Sequence, residues 1–211
     1  MPKQENSSSL SKAKRFAAIA FDPEVLKVKF HALTAKFHPD RVHLATEPEK
    51  QAANELYTEL NAAYQCLREP KERLRHLLEL ERGIKVEDVE KISPDTMDLF
   101  MEISQRCREA DAFLAEKASV TSPLLKVQLF EGGMALVDSL NLLVEHLNGR
   151  REELIAQIRH LNMAWETAPP VGSPTRLHVL PCSRLEHIYR HFSYLKRWTQ
   201  QLEERLVQLS L

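Results

Sequence analysis

Glycine is scarce in this chain, five in 211 residues, and so are the tight turns that a β-rich fold demands; the balance favours long helices. Cysteine is scarcer still. Cys66, Cys107 and Cys182 are scattered and odd in number, which leaves no disulfide framework and no paired-cysteine metal knuckle, and they read as buried or half-buried thiols. Neither sign of charge predominates: a formal charge of −1 provides no global attraction to nucleic acid or to an anionic membrane, so any electrostatic steering is local. No run approaches the roughly 20 apolar residues of a membrane span, and the start MPKQENSSSLSK lacks the apolar core of a secretory signal. A cytoplasmic protein with a polar, disordered start over residues 1–11 is expected. Phosphate loop, nucleophile elbow and dinucleotide fingerprint are all missing, so neither an enzyme nor a bound cofactor is expected.

What the chain does have is helical periodicity. Asp22 followed by Pro23 is a helix start, because the carboxylate caps free amides and proline at the first position loses no needed hydrogen bond. Leu26, Phe30, Leu33 and Phe37 recur at helical spacing and are expected to face a core, with Lys27, Lys29, His31 and Lys36 left on a basic outer side. Pro39 disfavours helical geometry at His38 and removes its own amide, so His38, Pro39 and Asp40, followed by Arg41, form a built-in elbow. A second helix is expected from Glu47-Pro48, with Leu56, Leu60, Ala63 and Leu67 inward and Tyr64 at the edge. Pro70 interrupts it, and a shorter helix follows to about Leu80. A polar elbow between two amphipathic helices is a place to dock a partner.

Residues 83–93 read as a linker, with Gly83 ending one helix and Ser93-Pro94 starting the next. Beyond it, three long helical stretches are expected. The first covers about 95–118, with Met97, Phe100 or Met101, Ile103 or Ser104, Cys107 and Phe113-Leu114 near one side. The second starts at Ser122-Pro123 and runs past Asn148-Gly149, with a break possible at the glycine; the third covers about 183–209, after a loop forced by APPVGSP. Three apolar stripes of this kind are satisfied by packing on one another as a bundle.

FHPDRV after a basic helix, with LNAAYQCLREPKERLRHLL downstream, resembles a J-domain, the module that stimulates ATP hydrolysis by DnaK-type chaperones. LFMEISQRCREADAFL and SYLKRWTQQLEERLVQL narrow the resemblance to the HscB family, the J-proteins of iron-sulfur cluster assembly. It implies an all-α fold: an N-terminal J-domain helical hairpin over 12–82, the linker, and a C-terminal three-helix bundle over 94–211. It implies a co-chaperone whose HPD motif stimulates an HscA/DnaK-type chaperone ATPase and which delivers an IscU-type iron-sulfur scaffold to it. By the resemblance, His38, Pro39, Asp40, Arg41, Lys27, Lys36 and His31 bind the chaperone, with Asp40 as anionic partner of a chaperone arginine. By the same resemblance Phe100, Met101 and Tyr194 match the scaffold-binding positions, and Ser104 occupies a further one.

Several departures keep a second client in view: Ser104 stands where an apolar residue is common, Arg108 and Ala112 replace acidic positions, and residues 164–181 exceed what the family needs. The segment KRFAAIAF is a briefer first helix than the family's usual opening. A purely structural helical adaptor is the third reading, since a lysine-studded helix is ordinarily a solvated face and a lone His-Pro-Asp an ordinary turn. The conjunction favours the co-chaperone. His187 and His191 lie one turn apart, but without a third ligand no metal site is assigned; docking accounts for His38 better than a cluster with His31 and His43 does.

Overall fold

The computed structural model describes residues 22–38, 46–86 and 92–210. Every element among them is helical, as the composition requires: α1 (Pro23–Phe37), α2 (Glu47–Arg68), α3 (Pro70–Arg82), a 3₁₀ turn (Pro94–Thr96), α4 (Met97–Ser119), α5 (Pro123–Glu166), α6 (Arg176–Val179) and α7 (Cys182–Ser210). None of the described helices is long and apolar enough to cross a membrane. The chain divides into two compact units, one of residues 1–86 with 155–189, the other of 87–154 with 190–211.

In the first unit, the Asp22 carboxylate accepts the Glu24 amide at 2.9 Å and starts α1. The helix ends at His38, whose extended backbone (φ −64°, ψ 132°) is what a following proline imposes. Phe30 near the middle of α1 stacks on Tyr64 late in α2, centroids 4.0 Å apart, while His38 meets the earlier Tyr57. The two helices therefore run antiparallel. Their seam is rotated from the expected one: Leu33 is 42% exposed and Ala63 is exposed, while Thr34 and Tyr64 are half-buried. The cause is the ring pair. A stacked Phe30–Tyr64 contact buries far more apolar area than an alanine one position away, and turns both helices to make it.

At the start of α2 the Thr46 amide and hydroxyl both donate to Glu49 Oε2, at 2.9 and 2.8 Å, within a capping box. The bond from the Thr46 amide, then that from its hydroxyl, hold the Glu49 carboxyl below its usual range. A depressed carboxylate contributes stability that is present above the unfolded-state value, about 4.3, and lost as pH falls through the lower folded value. Acid titration by NMR is expected to show Glu49 titrating below the value of an unstructured glutamate, about 4.3, with the first turn of α2 fraying in the same low-pH window; titration at the unstructured value would contradict the cap.

Pro70 opens α3 and is buried together with Leu74 and Leu78. Gly83 closes the helix in the left-handed region, φ +70°, its amide donating to the Glu79 carbonyl at 2.9 Å. The core of this unit also takes Ile158, Trp165, Leu180, Leu185, Ile188 and Tyr189.

In the second unit, Ile103, Cys107 and Ala110 of α4 are buried, as are Leu140, Leu143, Leu147 and Leu154 of α5 and Phe192, Leu195, Trp198 and Leu202 of α7. Arg205 of α7 donates to Asp111 at 2.7 Å and to the Cys107 carbonyl at 3.3 Å, which ties α7 to α4. Gly132 and Gly133 let the Phe113 ring lie against α5; a Cβ at either would sit 3.3 Å from that ring. Helix α5 continues unbroken through Gly149. Its buried positions keep helical spacing on both sides of the glycine, from Leu140 through Leu147 to Leu154 and Ile158, and their burial outweighs a propensity cost of about 1 kcal/mol. Cys107 is buried and Cys66 and Cys182 half-buried, and burial raises all three thiols above their ordinary range.

Candidate functional site

The expected sites fall in different units. In the first, Pro39, Asp40, Arg41 and His43 lie outside the described residues. His38, the residue that enters the elbow, is described and half-buried. Its ring meets Tyr57 edge-on, centroids 5.4 Å apart and planes at 77°. Tyr57 thus fixes the point from which the elbow departs, and the expected inward positions of α2 omitted it. The signal was available in the spacing of Tyr57, Asn61 and Tyr64, which places a second stripe beside the leucines; the Asn61 amide donates to the Tyr57 carbonyl at 2.8 Å.

The basic side of α1 is where the periodicity places it. Lys27, Lys29, His31 and Lys36 are all exposed. Lys27 lies 3.9 Å from Glu24, one turn away, and the Lys36 ammonium sits 5.2 Å from the centre of the neighbouring Phe37 ring. Neither interaction takes these ammonium groups out of water, so the positive potential of this face remains available to an acidic partner.

In the second unit α4 and α7 bring Phe100, Met101, Ser104 and Tyr194 to one region, though in different roles. Phe100 is half-buried and leans on Trp198 at a centroid distance of 6.3 Å; Tyr194 stacks on the same Trp198 at 5.6 Å. Tyr194 is only 3% exposed, and burial raises its hydroxyl above the ordinary tyrosine range. It therefore backs the surface. Met101 is 55% exposed, Met97 42%, and Ser104 half-buried, so the methionines fall outside the buried stripe that was expected to include Met97.

Trp198 was not among the expected residues, although it lies one helical turn beyond Tyr194. His191 meets Tyr194 edge-on at 6.3 Å and bonds Asp95 at 3.1 Å. A hydrogen bond from Ser93, aided by the His191 charge, holds the Asp95 carboxyl below its usual range. The result is an aromatic cluster of Phe100, Trp198 and Tyr194, with two exposed, adaptable thioethers on α4 next to Phe100 in the chain, a chemistry suited to an apolar protein partner.

No family model matches the chain. Similar curated proteins include the co-chaperone protein HscB homolog of Burkholderia mallei, 28% identical over 171 residues that cover 81% of this chain and 91% of the relative. The homolog of the same name from Paraburkholderia phytofirmans is 29% identical over 157 residues, 74% of this chain and 87% of the relative. Among solved structures, the chaperone HscB from Vibrio cholerae shares the fold with a TM-score of 0.56 at 19% identity, over 90% of this chain and 93% of that one. Relatives matched along most of their own length, together with the shared helical fold, make the chain similar to the co-chaperones of the HscB family.

Proposed function

We propose that the chain is a J-domain co-chaperone of iron-sulfur cluster assembly, stimulating an HscA/DnaK-type ATPase through His38, Pro39 and Asp40 and delivering an IscU-type scaffold to it. The J-domain covers 12–82, residues 83–93 link, and 94–211 recognise the scaffold. The observation that carries the reading is the end of α1: His38 held against Tyr57 at the mouth of the elbow, with Lys27, Lys36 and His31 exposed along the same helix. Exposed ion pairs contribute about 0.2–1 kcal/mol each and are screened by salt. Several of them, with Arg41, make a weak and fast complex. That suits a protein that binds another's ATPase, biases its conformational equilibrium and leaves. In this reading the chain hydrolyses nothing itself and acts in the cytoplasm.

The scaffold would rest on Met101 and Phe100 over the Trp198–Tyr194 stack. Met101→Asp tests this: burying a methionine side chain at an interface contributes roughly 1.5–3 kcal/mol, so scaffold binding is expected to weaken at least about tenfold. Far-UV circular dichroism is expected to be unchanged, because Met101 is 55% exposed. Unaltered scaffold affinity in a folded Met101→Asp protein would remove this face from the proposal.

A second reading, a J-protein with a different client, is favoured by half-buried Ser104 beside the thioethers and by exposed Arg108 and Ala112. Pull-down with purified IscU-type scaffold separates the two. Binding at tens of micromolar, roughly −6 kcal/mol, supports delivery of the scaffold; no binding at that concentration, with ATPase stimulation intact, supports the other client. A structural adaptor would respond in neither assay.

A further inference from the structure

No individual residue of 167–181 has been given a role above, yet one of them makes the most buried ion pair among the described residues of the first unit. This strap contains four prolines, Pro169, Pro170, Pro174 and Pro181, and turns at Gly172, φ +93°. It is thus largely pre-set before folding, since proline narrows the unfolded chain's choices and glycine alone accepts that turn without strain. Within it Arg176, the first residue of α6, directs a two-point fork at Glu81 of α3: Nε to Oε2 at 2.7 Å and Nη2 to Oε1 at 2.6 Å. The side chains are 9% and 7% exposed. The remaining Nη1 donates to the Pro169 carbonyl inside the strap, and the Trp165 indole N–H, itself 2% exposed, donates to Glu81 Oε1 at 3.2 Å. The next residue of α3, Arg82, pairs with Glu186 at 2.8 Å.

Glu81 is poorly placed for α3 taken alone. A carboxylate in the last turn of a helix faces the negative end of its dipole, and a buried ion pair gains little over apolar packing once desolvation is counted. What such a fork does supply is a single geometry, because guanidinium and carboxylate meet bidentately in one plane.

We infer that residues 167–181 are a clasp: Arg176, closed on Glu81 and backed by Trp165, fastens segment 155–189 to the end of α3, so that the two open and close as one cooperative piece. The last helix of the N-terminal hairpin then owes its stability to a stretch more than seventy residues away in sequence, and Glu81 is the anchor.

Hydrogen exchange of the full chain, followed by mass spectrometry, tests the clasp with Arg176→Ala, Glu81→Gln and the double variant. Each single variant is expected to accelerate exchange at least about tenfold in both 76–82 and 155–166, because breaking one partner leaves the other buried without its charge. The double variant should add little to either, as members of one pair do not add, and α4 should keep its wild-type protection. Arg176→Lys, which retains charge but not the fork, should recover part of the loss. Trp165→Phe removes the indole donor, with part of the ring volume, while keeping an aromatic side chain and both charges of the fork, and serves if the alanine variant fails to fold; a smaller acceleration in the same two segments is then expected. Acceleration confined to 167–181, or spread equally through α4, would overturn the proposal.

Discussion

Asp40→Asn is expected to return the chaperone's ATP hydrolysis to its unstimulated rate while leaving the helical content and unfolding midpoint of this protein unchanged. The substitution keeps the size of the side chain and one accepting oxygen, and replaces the charge and the second acceptor with an amide donor. A hydrogen bond between charged groups contributes about 1.5–3 kcal/mol, which corresponds to roughly a 10- to 150-fold loss in a complex that the accompanying exposed ion pairs make weak to begin with. Neutralising Lys27 or Lys36 should do less, because each supplies one screened contact among several; both changes should lose their effect as salt is raised. Stimulation that survives Asp40→Asn would leave the elbow without the role assigned to it.

Trp198→Ala is expected to have the largest effect on stability. The ring is 4% exposed, stacks with Tyr194 and meets Phe100 at a tilt, so its removal deletes buried area and leaves a cavity that neighbouring rings fill only in part. Such truncations cost about 3–5 kcal/mol, readable as a lowered urea midpoint with an unchanged slope. Scaffold binding should fall with it, since Phe100 loses its support. Met101→Asp separates the two effects by leaving the fold in place. A loss below about 1 kcal/mol on Trp198→Ala would mean that the aromatic stack does not organise the bundle.

Much of this architecture was legible in the chain, and the reason is local. Proline at 23, 48, 70 and 123 opens a helix each time, Gly83 closes one, and the leucine stripes set the length of the rest. Where the reading erred, a competing side chain decided. Ala63 and Tyr64 are neighbours on α2, and the seam turned toward the one whose ring could stack on Phe30. Gly149 weakened α5 on propensity alone, but the buried leucines before and after it keep their register through it.

The candidate sites were legible to different depths. The basic side of α1 follows from spacing, and the lysines are exposed as expected. Tyr57 behind His38 and Trp198 beneath Phe100 were available in principle as helical neighbours of Tyr64 and Tyr194, yet periodicity does not say which aromatic of a stripe supports and which is presented. Tyr194 illustrates this: the resemblance selects its position, and only burial shows that it lies under the surface. The Arg176–Glu81 fork was out of reach. Its partners are 95 residues apart, and nothing in either neighbourhood distinguishes them from solvent-facing charges until the chain is folded.

The central claim is that the elbow after α1 acts on a partner's nucleotide cycle, and single-turnover ATP hydrolysis by the cognate HscA/DnaK-type chaperone reads it directly. Addition of this protein should accelerate the turnover, addition of IscU-type scaffold should accelerate it further, and the Asp40→Asn protein should do neither. An ATPase rate indifferent to the wild-type chain, with scaffold present or absent, would contradict the account.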